Sequence, residues 1–285
     1  MSNLYKFEWH THLCEYYGVN PEDALRLGTR KTGRRPNLPG SETCQPVEGK
    51  NLEEIWEIKE RTDLKDIFDF YKDQGAWSSF RQCVRHKDLE QYHLNMLGVL
   101  RQLKVLKEGT HICEYGCGVA PYVTSLLKYL DPSTEVKLKL TMADVDCDHF
   151  NFAKFRLNDI KEKRGFTNVD MSFETITPEK LPNFDNVNLD VVICFEVLEH
   201  TPSPVDVINN IKDNMAPGGV YIENFIKHPP PPEDDTGGPD LESARLERTA
   251  YYEILEEYFN LVSSRGIADP HKHPNETRVW QRNSL

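Results

Sequence analysis

Nowhere in this chain does an apolar run approach the roughly 20 residues that a membrane-crossing helix needs. The amino terminus, Met1-Ser-Asn-Leu-Tyr-Lys-Phe-Glu-Trp-His10, lacks the basic-then-apolar pattern of a secretion signal. Both absences predict a cytoplasmic protein with no membrane partner. No Cys-x-x-Cys occurs, and the seven cysteines are an odd number. Cys113, Cys147 and Cys194 lie in or beside apolar runs, so buried free thiols are expected instead of a disulfide framework or a structural zinc site. Positive charge is also scarce: the formal net charge is −12. A long nucleic-acid footprint needs a basic face, so no nucleic-acid partner is expected. One local exception, Arg26-Leu-Gly-Thr-Arg-Lys-Thr-Gly-Arg-Arg35, reads either as a solvated loop or as a clamp on an anionic substrate.

What is present divides near residue 107. Tyr5 to Tyr17 is aromatic-rich and predicts a short helix. Residues 28–50 are rich in Gly, Pro and Ser and predict a loop or extended arm. Apolar periodicity predicts a helix over Leu52 to Phe70, a break at Gly75, and a second amphipathic helix over Leu89 to Leu106. Residues 1–107 therefore form a helical N-terminal region.

Beyond Gly109 short apolar strands alternate with helices. Strands are expected at Ile112 to Glu114, Val136 to Met142, Asp170 to Phe173, Val191 to Cys194 and Val220 to Phe225, with two more at Asn260 to Ser263 and Arg278 to Gln281. Helices are expected over Pro121 to Leu130, His149 to Leu157, Val205 to Met215 and Leu241 to Tyr258, the third closed by Pro217-Gly218-Gly219. This alternation implies a parallel sheet with right-handed crossovers, a doubly wound α/β domain over 108–285. Residues 229–240, rich in Pro, Gly and Asp, are a loop insertion.

The first strand leads into His111-Ile-Cys-Glu-Tyr-Gly-Cys-Gly-Val119. Two glycines one residue apart let a backbone approach a nucleotide-like ligand. In doubly wound sheets such a loop lies at the ligand-binding edge, beyond the carboxyl ends of the strands. Asp144 closes the second strand, where a carboxylate can accept both hydroxyls of a ribose; a turn or helix-capping acid is the plainer alternative. The third glycine of the dinucleotide fingerprint is missing, and Glu114 just before the glycines would repel a pyrophosphate while suiting an ammonium group.

Glu-Tyr-Gly-Cys-Gly, Asp144, Phe195-Glu-Val-Leu-Glu-His200 and Ala216-Pro-Gly-Gly219 together resemble the class I S-adenosylmethionine-dependent methyltransferases over roughly residues 108–263. The resemblance implies a Rossmann-like, seven-stranded sheet with an antiparallel last strand, and S-adenosylmethionine as cofactor. It implies that Gly116 and Gly118 line the methionine and ribose portion, and that Glu114 orders the loop and meets the methionyl ammonium. Asp144 would hold the ribose, Val145 would lie beside the adenine, and Phe195 and Glu196 would stand near the methionine end. The acid that often meets the adenine amino group is replaced here by Thr177.

A sulfonium leaving group departs neutral, so alignment and removal of an acceptor proton are the remaining tasks. Glu199 and His200 are the candidate catalytic pair, His200 being able to act as a base. In a plainer reading Leu198-Glu-His200 is a family turn that packs locally. In a third, Glu196, Glu199 and His200 form a divalent-metal half-site completed by His228, as in some quinone-biosynthesis O-methyltransferases and small-RNA 2′-O-methyltransferases that look similar. Tyr71, Trp77, Phe80, Arg81, Arg85 and His86 lie where the helical region would cover the acceptor. Arg81 and Arg85, four apart, are placed to meet an anion. The expected reaction is methyl transfer to O or N of a small polar, anionic or sugar-like acceptor. The alternative is a non-catalytic S-adenosylmethionine-binding protein. The aromatic N-terminal arm is compatible with a homodimer.

Overall fold

The computed structural model describes residues 9–24, 64–74, 76–133, 136–182, 184, 188–225, 241–263 and 277–284. The basic stretch 26–35, the start of the helix expected from Leu52, the 229–240 insertion and His228 lie outside the described residues, as does the side chain of Trp77. No helix among the described residues is long and apolar enough to cross a membrane.

Among the described residues four helices precede the sheet: α1 (Trp9–Tyr17), α2 (Leu64–Gln74), α3 (Ala76–Asp88) and α4 (Glu90–Gln102). There follow β1 (His111–Tyr115), α5 (Pro121–Tyr129), β2 (Leu138–Val145), α6 (Asp148–Arg164), β3 (Val169–Ile176) and β4 (Leu189–Cys194). A short 3-10 turn (Leu198–His200), α7 (Pro204–Asn214), β5 (Met215–Glu223), α8 (Glu242–Tyr258), β6 (Phe259–Ser263) and β7 (Arg278–Arg282) complete the order.

The sheet has seven strands in the order β3-β2-β1-β4-β5-β7-β6. β1 to β5 are parallel, and β7 runs antiparallel between β5 and β6. The strand order reverses between β1 and β4, which opens a crevice at their carboxyl ends. Both strands are buried on both faces: every β1 residue is buried, His111 and Glu114 included, as is all of β4 except Asp190. Such runs suit a sheet covered by helices on each side.

Local chemistry fixes the helix ends. Ser203 caps α7 by accepting the Asp206 N–H at 3.3 Å, with Pro204 in the first turn. Gly165 ends α6 in the left-handed region at φ 69°. One expectation needs correcting. Ala216-Pro-Gly-Gly219 is not a turn ahead of a strand but the opening of β5 itself, which begins at Met215 directly after α7. The register with β4 shifts here, between Leu189 and Val191. A Cβ on Gly219 would stand 2.9 Å from the Ala216 carbonyl oxygen and 3.1 Å from that of Leu189, so only glycine lets the irregular strand close up.

Two core clusters join the N-terminal helices to the sheet. The larger unites Ile67, Phe68, Tyr92, Met96 and Leu100 with strand residues such as Ile112, Leu140 and Val192. The smaller packs Leu13 and Tyr17 of α1 and Phe80 of α3 against Phe152 of α6 and Val119 of the glycine loop. The aromatic N-terminal helix thus commits Leu13 and Tyr17 to this chain's own core. On the far side, buried Glu223 receives Arg278 Nε at 2.7 Å and Trp280 Nε1 at 3.0 Å, which ties β7 to β5.

Candidate active site

Glu114 stands next to last on β1, 2% exposed. Its two oxygens accept the N–H groups of Tyr122 and Val123 at 3.2 and 2.9 Å. These are orphan donors of the first turn of α5, so Glu114 acts as a distant cap that fixes the glycine loop between strand and helix. Burial pushes its carboxyl up to about 8, against the pull of the two N–H groups and with a further push from Asp144.

The loop between them is held at both edges. Gly116 and Cys117 N–H groups donate to the Ala143 carbonyl at 2.8 and 3.1 Å, closing the loop onto β2. Gly116, Gly118 and Ala120 have φ of 64°, 54° and 50°. A Cβ on Gly116 would run into Val197, and one on Gly118 into Gln82 Oε1. Both glycines are therefore favoured by dihedral, and Gly116 also by space, since the end of Gln82 can swing away from Gly118.

Asp144 stands at the carboxyl end of β2, 8% exposed. It accepts N–H groups from Gly118 at 2.5 Å and Val145 at 2.7 Å, one per oxygen. Burial raises its carboxyl above the usual range, and those two bonds moderate the rise. Each oxygen keeps a further lone pair for a ligand hydroxyl.

Glu114, Gly116, Gly118, Asp144, Val145, Phe195, Glu196 and His200 all line one cavity of about 630 Å³, which also reaches α2 and α3. Thr177 does not belong to its lining; its backbone pairs with Lys180, and its neighbours Ile176 and Leu181 form that wall instead. That stretch of the wall is thus apolar. Glu199 is also absent from the lining, although its Oε1 is 4.0 Å from His200 Nε2.

Glu196 is a non-glycine residue at φ 54°. Its N–H donates to Asn224 Oδ1 at 3.0 Å, its Oε1 accepts Asn224 Nδ2 at 2.6 Å, and its Oε2 accepts Arg85 Nη2 at 3.0 Å. The strained backbone aims the carboxylate across the cavity at α3. Glu196 thus bonds to Asn224 and Arg85, Glu199 stands beside His200, and His228, the fourth member of the metal reading, lies outside the described residues. Among the described residues three potential metal ligands gather at Asp144, Cys147 and His149.

The end of the cavity at Phe195 is walled by aromatic rings. Tyr122 stacks on Phe195 with centroids 4.9 Å apart, and Tyr92 meets Phe195 edge-on at 5.8 Å. Arg81, Arg85 and His86 of α3 and Tyr71 of α2 also line the cavity, and Phe80 packs in the core. Sequence reading missed Gln82, which accepts the Val119 N–H at 3.3 Å, and Asn224. Asn224 directly follows β5 at the carboxyl edge, a position that could have pointed to it.

Residues 106–244 match the family model of a methyltransferase domain. Those residues form a methyltransferase domain of the class I S-adenosylmethionine-dependent type. Curated relatives include a ubiquinone biosynthesis O-methyltransferase of Colwellia psychrerythraea, 29% identical over 39% of this chain and 39% of that protein. Another is a tRNA U34 carboxymethyltransferase of Campylobacter fetus, 25% identical over 59% of this chain and 55% of that protein. The matches thus span well under two thirds of these relatives' own lengths. A solved SAM-dependent methyltransferase from Aquifex aeolicus is 19% identical, with a TM-score of 0.43 over 70% of this chain and 96% of that one. Within the methyltransferase fold, the cavity lies at the switch point between β1 and β4.

Proposed function

We propose that this methyltransferase moves the methyl of S-adenosylmethionine to an oxygen or nitrogen of a small, polar, anionic acceptor. The observation that carries the reading is the pair of buried acids, Glu114 and Asp144, on either side of a loop where a Cβ has no room. Such a cradle fits an adenosine that bears an amino acid. Asp144 offers free lone pairs to ribose hydroxyls, Val145 and Ile176 offer an apolar wall to adenine, and the Glu114 side of the loop favours a cation.

When bound, the donor supplies an activated methyl whose departure leaves a neutral thioether. The chain's tasks are then orientation, exclusion of water and proton removal. Tyr92, Tyr122 and Phe195 shield the reacting end. Arg81 and Arg85 face the acceptor space from one side of α3 and would hold an anionic group. An anion entering there competes with Glu196 for Arg85. His200, which lines the same space, accepts the acceptor's proton, and Glu199 at 4.0 Å stabilises the resulting imidazolium. Positioning supplies the larger share of the acceleration, with about 10²–10⁴-fold from the base.

The Campylobacter relative's name raises a second reading, a tRNA acceptor. The net charge of −12 disfavours it, because phosphate binding needs a basic surface. The deciding experiment follows S-adenosylhomocysteine release with a panel of small hydroxy, phenolic, amino and carboxylate acceptors and with tRNA. Turnover on an anionic small molecule, weakened chiefly in KM by Arg85→Ala, supports the proposal. Turnover on tRNA alone contradicts it, and donor binding with no turnover on the panel favours a sensor.

A further inference from the structure

We propose that Asp144, Cys147 and His149 form a site for one thiophilic divalent cation, Zn²⁺ being the best match, and that this cation and the methyl donor exclude each other because both use Asp144. The exclusion rests on the donor-site reading above; binding of the cation does not.

The three residues fall within Asp144-Val-Asp-Cys-Asp-His149, the turn from β2 into the first turn of α6. All are buried, and one ligand atom from each lies within 4.8 Å of the other two. Cys147 Sγ is 3.0 Å from His149 Nε2. Tetrahedral zinc bonds of about 2.0–2.3 Å set neighbouring ligand atoms about 3.3–3.8 Å apart. A small parting of sulfur and imidazole therefore admits the ion. One sulfur, one imidazole and one carboxylate match zinc, whereas magnesium and calcium prefer oxygen alone. Asp144 and His149 also line the donor cavity, so a fourth position can face its space.

The surroundings hold each ligand in place. His149 Nδ1 is 3.1 Å from the hydroxyl of buried Ser78 on α3, which leaves Nε2 directed at the sulfur. A partner on the second ring nitrogen is what orients a metal-binding histidine. Cys147 is the N-cap of α6, and the Phe150 N–H reaches its sulfur. Burial keeps that thiol protonated in the metal-free chain, so the cation displaces its proton on binding. Asp144 is fixed by the Gly118 and Val145 N–H groups. Asp146 and Asp148 flank the sulfur in sequence and add negative potential, which resists a bare thiolate but draws a dication. No step of the proposed methyl transfer uses Cys147 or His149, so neither is explained by that reaction.

The experiment uses the full chain, freed of metal and titrated with Co²⁺ and then Zn²⁺. One equivalent of Co²⁺ should give a thiolate-to-metal charge-transfer band that Zn²⁺ abolishes. Cys147→Ser keeps a favoured N-cap for α6. It should lose the band and bind Zn²⁺ at least about tenfold more weakly, as should His149→Gln, with circular dichroism confirming that both fold. In calorimetry, the apparent dissociation constant of S-adenosylhomocysteine should rise linearly with free Zn²⁺ in the wild type and stay flat in Cys147→Ser. Absence of the band, or equal Zn²⁺ affinity in wild type and both variants, overturns the cation site. A band with zinc-independent S-adenosylhomocysteine affinity overturns the exclusion. Failure of S-adenosylhomocysteine to bind even without metal refutes the donor-site reading, and the band still judges the cation site.

Discussion

Replacing Glu114 by Gln tests the physical core of the site. In the ligand-free chain this carboxyl is buried and its pKa stands at about 8, against 4.5 for a free glutamate. A group whose folded pKa is raised contributes stability that is fully present below the unfolded pKa and is lost as pH rises through the folded one. Here the loss runs from about pH 4.5 to about pH 8. At about 1.4 kcal/mol per pKa unit, this interval corresponds to a ceiling of about 5 kcal/mol. Glutamine cannot ionise, and its amide nitrogen forfeits one of the two N–H bonds, a cost that does not vary with pH. Urea melts of ligand-free wild type and Glu114→Gln at pH 5, 7 and 9 should therefore diverge. The wild type should lose about 3–5 kcal/mol relative to the variant across that range, a relative midpoint shift of about 1 M urea or more for a slope of about 3 kcal/mol/M. The donor's positive charge favours the ionised carboxylate, so a saturating donor should flatten the wild-type loss, and binding at pH 7 should release protons to the buffer. A wild-type-to-variant difference that stays constant within about 0.5 kcal/mol from pH 5 to pH 9 would refute the argument.

Three further outcomes follow from the geometry. Asp144→Ala should weaken S-adenosylhomocysteine by about 10–100-fold, because charge-assisted hydrogen bonds to the ribose are lost; calorimetry measures it, and unchanged affinity would remove Asp144 from the site. Gly118→Ala places a Cβ at φ 54° against Gln82 Oε1 and should cut donor affinity at least about tenfold, with about 1–2 kcal/mol lost from folding; wild-type binding would show that the loop needs no glycine there. Arg278→Met leaves Glu223 buried without its cation and should cost about 3–5 kcal/mol in urea melts, although β7 is remote from the glycine loop; a cost below about 1 kcal/mol would show the pair to be dispensable.

The parallel half of the sheet was legible because each strand is a short apolar run followed by an acid or a glycine. Strand ends were placed less well where a side chain decides them. β3 continues past Phe173 to Ile176, and α6 past Leu157 to Arg164, through mostly polar stretches in which Ile176 and Ile160 are the sole apolar residues. The β5 start was misplaced because Pro-Gly-Gly ordinarily marks a turn. Here a register shift against β4 absorbs it, a feature that depends on the partner strand. In the site, Glu114, the two glycines and Asp144 were legible from spacing because they sit at consecutive strand ends. Gln82, Asn224 and the Arg85–Glu196 pair were not, since α3 and the ends of β4 and β5 meet only in the folded chain. Nor could the sequence show that Ile176 and Leu181, to either side of Thr177, line the cavity.

The claim on which the rest depends is that the glycine loop, with an acid on each side, holds an adenosine bearing an amino acid and not a dinucleotide. Calorimetric titration of the metal-free wild-type chain with S-adenosylhomocysteine, and in parallel with NAD⁺, tests it most directly. The account predicts one-to-one binding of S-adenosylhomocysteine with a dissociation constant of about 1–100 μM and no heat from NAD⁺. Saturable binding of NAD⁺ with none of S-adenosylhomocysteine would contradict it.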